Sequence, residues 1–175
     1  PAFGYELVVI VAHGIHRMLD EQRDEFHYIT VMNENVAQPP MPVGQEIERD
    51  ILRGLYRLPA QAPSGATVPA PSSAKVRKSA GAKVHAPSGA QVRLVGAGMI
   101  LREAIAAAAL LEADYGITAE VWSATSFVEL ARDAREVQRH NRLHPQAPAR
   151  TSHVAQCLSG ELPVIAATDY MRAFA

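Results

Sequence analysis

Between positions 5 and 20, apolar residues recur close to helical spacing. Leu7, Ile10, Val11, Ile15, Met18 and Leu19 fall near one stripe, which predicts an amphipathic helix despite Gly14. The pattern then changes. His27–Asn33 (HYITVMN) is rich in β-branched and aromatic residues and closes on the polar run Asn33, Glu34, Asn35, so it predicts a strand. Pro39, Pro40 and Pro42 block regular structure after it. A second helix is expected from Gln45 to Tyr56.

The texture differs beyond Leu58. Written in eights from Pro63, the chain reads PSGATVPA, PSSAKVRK, SAGAKVHA, PSGAQVRL, with Val68, Val76, Val84 and Val92 always at the sixth place. One apolar anchor per copy, amid Pro, Ser, Ala and Gly, buries too little surface to offset the entropy of ordering. Residues 59–90 are therefore expected to form a flexible linker. Its basic residues Lys75, Arg77, Lys78 and Lys83 are read as a solvated surface.

Regular alternation resumes in the second half. Val92–Val95 reads as a strand, Gly96–Gly98 as a tight turn, and Met99–Tyr115 as a helix with Gly116 as its C-cap. Ala119–Thr125 is the next strand. Ser126, followed three residues later by Glu129, carries the capping-box signature of a helix start. Pro163–Asp169 is a short strand, apolar on both faces. Strands alternating with helices predict an α/β fold, a mostly parallel sheet of buried strands flanked by helices.

Composition narrows the class. Seventeen Lys+Arg against 18 Asp+Glu leave a net charge of −1, which argues against nucleic acid or an anionic membrane as partner. Apolar runs stop far short of a membrane span of roughly 20 residues, and no secretory leader pattern is visible. The single cysteine, Cys157, fits a reducing compartment and excludes an intrachain disulfide. The chain starts at Pro1 and stops within DYMRAFA; the expectation is a piece of a longer protein.

Four constellations invite chemistry. VGAGMIL, Val95–Leu101, looks like a dinucleotide fingerprint, but Leu101 stands where the third glycine is needed. The end of the following strand, VWSATSF, also offers no Asp or Glu for a ribose. It is read as a tight strand-to-helix turn, with Leu101 packing the helix onto the sheet. His140 and His144 share a helical face, yet His153 or Cys157 completes a metal set only by guesswork, and HExxH is absent. Cys157 reads as a structural thiol on an apolar run, and His13 and His16 read as members of a packed helix. Glu34, between Asn33 and Asn35 at a strand end, stands where α/β folds place ligands, but it is read as closing a turn.

The segments YITVMNEN, VWSATSF followed by EL and RD, NRLHP, and PVIAATDYMR followed by FA together carry a resemblance. The chain resembles the homodimeric type of the pyruvate dehydrogenase (acetyl-transferring) component, a transketolase-like thiamine diphosphate family. The likeness runs from PAFGYELVVIV to the last residue, apart from the octads. It implies that residues 1–58 are the tail of the aminopyrimidine-binding middle domain and that residues 91–175 are most of a transketolase-like C-terminal domain. The octads at 59–90 would then be an expanded joint between them.

The same resemblance implies thiamine diphosphate and Mg²⁺ in the parent enzyme. The family's Gly-Asp-Gly motif does not occur here, and its catalytic glutamate and active-site histidines lie upstream. No catalytic, cofactor-binding or metal residue is therefore assigned in this chain. The parent is expected to be a cytoplasmic oxidoreductase that converts pyruvate and passes an acetyl group to the lipoyl-bearing dihydrolipoamide acetyltransferase component. This part would serve as scaffold and dimer interface, inactive alone and prone to associate. Two other readings are a stand-alone, non-catalytic binding or oligomerisation module and, on the strength of VGAGMIL, an NAD(P)-binding oxidoreductase.

Overall fold

A computed structural model describes residues 1–33, 35–43, 46–59 and 89–173. Residues 60–88 of the linker expected over 59–90, and the candidate Glu34, lie outside the described residues. Helix α1 spans Gly4–Ile15 and runs into a π-helical turn, His16–Asp20. Helix α2 (Ile47–Leu52) leads into strand β1 (Leu55–Arg57). Then come β2 (Val92–Gly96), α3 (Ile100–Tyr115), β3 (Ala119–Ala124), α4 (Phe127–Leu143), α5 (His153–Cys157) and β4 (Val164–Ala167).

The four strands make one sheet in the order β1-β3-β2-β4. Pairing is parallel for β2 with β3 and for β2 with β4, while β1 runs antiparallel to β3, with Leu55 opposite Ala124. Alternation along the strands sends residues to two different layers. Val92 and Leu94 pack with Ala104 beneath α3. Val95, Trp122 and Ala124 pack with Leu55 and Leu130 beneath α4 and α5. A third cluster joins α1, α2 and α3 through Phe3, Ile51, Tyr56, Leu58 and Leu101.

Local chemistry explains the ends of the helices. Gly116, at φ 65°, closes α3 with its N–H donating to Glu112 O. Ser126 Oγ accepts from Glu129 N at 3.2 Å and starts α4. The return half of the expected box is not made, because the Glu129 carboxylate pairs with Arg132 instead.

Four expectations are corrected. The helix expected over Gln45–Tyr56 ends at Leu52, because Gly54 turns the chain at φ +96° and Leu55–Arg57 then joins the sheet. The strand expected at His27–Asn33 is irregular. It finds no ladder partner among the described strands, and strand propensity alone does not hold a strand. Tyr28 there is 87% exposed. Strand β4 forms where expected, but as a sheet edge with Val164 and Ile165 exposed, not as a strand buried on both faces. The expected stripe is only partly inward: Ile10 is half-buried against the core, but Val11 and Ile15 on α1 and Met18 and Leu19 on the π-helical turn are exposed, whereas Glu6 and Gly14 are buried.

The end of the first helix is fastened by charge. Arg17 Nε lies 2.5 Å from Glu25 Oε1 and Nη2 lies 2.7 Å from Oε2. That bidentate contact holds the Glu25 carboxyl down at about 2, from an ordinary 4.5. The pair's contribution is therefore complete above about pH 4.5 and is lost as pH falls through about 2. In an Arg17→Ala variant the Glu25 titration should return towards 4.5; carbon-detected NMR of the carboxyl would show it.

Candidate functional site

The strand-to-helix turn Gly96-Ala97-Gly98 sits where an α/β fold would place a ligand. Its two glycines answer different needs. A Cβ on Gly96 would lie 2.5 Å from Leu101 Cα, so the first turn of α3 rests directly on the end of β2. Gly98 has φ +55° and open space where a Cβ would stand, so it serves the turn and not a contact. Leu101 is 0% exposed and packs in the cluster of Phe3, Ile51, Tyr56 and Leu58. The residue that breaks the dinucleotide fingerprint is thus a core residue of the helix–sheet contact. Amides of the first turn are partly taken: Leu101 N donates to Gly98 O and Arg102 N to Met99 O.

The histidines separate into pairs. His140 and His144 stack with ring centroids 4.4 Å apart at the end of α4, and His144 Nδ1 lies 3.0 Å from His140 O. His153 and Cys157 meet elsewhere. His153 is buried with Nε2 2.8 Å from Leu55 O, and Cys157 Sγ lies 3.5 Å from the same Nε2. His153 therefore joins α5 to β1. Burial pushes the Cys157 thiol up, which disfavours the thiolate. His16 is exposed and pairs with Asp20 at 2.8 Å, not packed as expected. Among the described residues, no group of three or more His, Cys, Asp or Glu side chains converges in a way that suits a metal.

Two polar features escaped the sequence reading. On the α4 side of the sheet, Glu120 receives Arg93 at 3.0 Å and Arg57 at 3.2 Å, and Trp122 Nε1 at 3.3 Å. On the opposite side, Glu6 is fully buried and accepts four hydrogen bonds. Ala2 N and Phe3 N donate to Oε2 at 2.5 and 3.1 Å, while the Tyr56 hydroxyl and Ser123 Oγ donate to Oε1 at 2.6 and 2.7 Å. The Tyr5 hydroxyl lies 2.6 Å from that of Tyr56. Burial, followed by the Glu6 charge, raises the Tyr56 hydroxyl strongly; burial also raises that of Tyr5, to about 12. Both phenols therefore stay protonated as donors. The signal in the sequence was Glu6 itself, the only acid among the first 19 residues.

An open cleft of about 420 Å³ lies between α4 and the segment before α5, lined by Asp133, Glu136, Val137, Arg150, Thr151 and Gln156. Asp133 is already engaged there, accepting from His153 N at 2.7 Å. None of these features fits thiamine diphosphate with Mg²⁺, which needs a carboxylate-rich metal set and a diphosphate cradle. Among the described residues, no helix is long and apolar enough to cross a membrane.

Comparison with known proteins completes the picture. A family model described as the transketolase-like TK C-terminal domain matches residues 81–175, and one described as the pyruvate dehydrogenase E1 component middle domain matches residues 1–39. Proteins named pyruvate dehydrogenase E1 component are similar over the whole chain. Those of Cupriavidus necator and Pseudomonas aeruginosa are 44% identical over 176 residues, and that of Escherichia coli K12 is 38% identical. The chain spans 17% of the length of these relatives. The four-stranded, mostly parallel sheet with helices on both faces agrees with the first of these matches. With that sheet and more than half of its length matched, the chain belongs to the transketolase-like C-terminal domain family.

Proposed function

We propose that this chain is a part of the thiamine-diphosphate-dependent decarboxylating component of a pyruvate dehydrogenase complex, and that it supplies scaffold and dimer interface. The carrying observation is the likeness to E1 components over the full 176 aligned residues, with two family models matching in chain order. In this reading the parent takes pyruvate and delivers an acetyl group to the lipoyl-bearing acetyltransferase component, in the cytoplasm. Thiamine diphosphate and Mg²⁺ supply the carbanion chemistry when bound, and residues outside this chain hold them.

The proposed layout has a middle-domain tail at 1–58, a joint at 59–90 and a C-terminal domain at 91–175. Strand β1 belongs to the sheet of the last unit although it precedes the joint, so the two units share a sheet edge. The exposed strand β4 and the outward apolar residues of α1 support a role as scaffold, since large apolar side chains left open usually meet a further surface.

A chimera tests the reading. The matched stretch of the Cupriavidus necator relative is replaced by residues 1–175, and the product is assayed with its partner components. The expected result is a soluble dimer that reduces NAD with pyruvate. A soluble chimera that holds thiamine diphosphate but neither dimerises nor turns over pyruvate would overturn the proposal.

A further inference from the structure

We propose that Glu6 is an interdomain clasp, a single buried carboxylate that fixes helix α1 to the C-terminal sheet. Three observations carry it. First, the four hydrogen bonds come from three places: the chain's own first residues (Ala2 and Phe3), β1 (Tyr56) and β3 (Ser123). Glu6 lies in the stretch matched by the middle-domain model, and Ser123 in the stretch matched by the C-terminal-domain model. The carboxylate thus joins the two.

Second, the two oxygens accept two hydrogen bonds each, and among the described residues no cation pairs with them, so there the carboxylate is held by oriented hydroxyls and amides. Tyr5, on α1, extends the chain by its contact with Tyr56. Third, the apolar hold on α1 is thin. Val8 is 66% exposed and Val11 and Ile15 are also open, so the apolar contact of the helix is confined to Tyr5, Val9 and Ile10, half-buried against the cluster of Ile51, Tyr56, Leu58 and Leu101, with Glu6 fully buried among them. With only part of its aliphatic residues facing the core, the helix relies on the buried acid as well as on that apolar contact for its seat.

The clasp is a matter of this chain's own geometry and stands whether or not the proposed activity does. Hydrogen exchange by mass spectrometry on the full 175-residue chain tests it. In Glu6→Ala, amides of α1 should exchange about tenfold faster or more, while those of β2 and α3 keep their protection. Glu6→Gln should fall between, because the amide keeps an oxygen for Ala2 and Phe3 and can donate to the two hydroxyl oxygens. Tyr56→Phe and Ser123→Ala each remove one donor and keep the carboxylate, and each should loosen α1 less than Glu6→Ala. These two variants decide the matter if Glu6→Ala does not fold. Unchanged exchange in α1, or an equal rise in β2 and α3, would show Glu6 to be an ordinary buried residue and overturn the clasp.

Discussion

A Gly96→Ala variant should melt roughly 6–12 °C below the parent chain, since overpacking of this kind costs about 3 kcal/mol and a chain of this size loses about 2–4 °C per kcal/mol. The new Cβ would lie 2.5 Å from Leu101 Cα and 3.0 Å from Leu101 N, which are backbone atoms and cannot swing aside. Relief requires lifting the first turn of α3 from β2 and withdrawing Leu101 from the core. Gly98→Ala provides the contrast. It carries the strain of φ +55° but meets nothing within 4 Å, so the loss should be about 1 kcal/mol. Differential scanning calorimetry of both variants measures the difference. Equal melting points would refute the close-approach argument.

Gly54→Ala should be at least as damaging, for two reasons that add. Gly54 sits at φ +96°, where an L-residue is strained by about 1–3 kcal/mol. Its added Cβ would also lie 2.6 Å from the Ser126 carbonyl oxygen. That carbonyl belongs to the start of α4, and Gly54 O itself accepts from Thr125 N at 2.9 Å and Ser126 N at 3.3 Å. The glycine is therefore clamped between the end of α2 and the junction of β3 with α4. A loss of about 3–4 kcal/mol is expected in urea unfolding. The change should strip protection from β1 first, since β1 begins one residue later. Loss of less than about 1 kcal/mol would contradict the clamp.

What is legible in the sequence follows the range of the forces concerned. The elements around the VGAG turn are set by local rules: β-branched runs, a capping serine at 126, a C-cap glycine at 116. Those elements form where expected. Leu101 reads as packing α3 on the sheet, and it does.

Failures come where partners are distant in sequence. Tyr56 looks helical beside Arg53 and Gly54, yet it pairs with Ser123 across the sheet. Residues 27–33 have the composition of a strand, but a strand is defined by its neighbour, and none of the described strands stands beside them. The partners of Glu6 are hidden for the same reason. Nothing within helical reach of it announces Tyr56, 50 residues on, or Ser123, 117 residues on. The histidines show the converse: sequence leaves His153 and Cys157 as conceivable companions of His140 and His144, but the fold sends the pairs to different partners.

Strand β1 has a consequence for the octads. Leu58 N donates to Val121 O at 2.9 Å and Gln91 N donates to Thr118 O at 2.8 Å, so the residues that flank the 59–90 stretch are held by β3 and by the residue just before it. The chain thus leaves on the β1 side of β3 and returns on its β2 side, at two points that the sheet itself fixes. For a flexible connection of this length, closure grows as the logarithm of residue number, so one more eight-residue repeat costs about 0.2 kcal/mol. Between anchors held by the sheet itself, adding or removing one octad is therefore expected to shift stability by only roughly a few tenths of a kcal/mol, as urea unfolding of such variants would show.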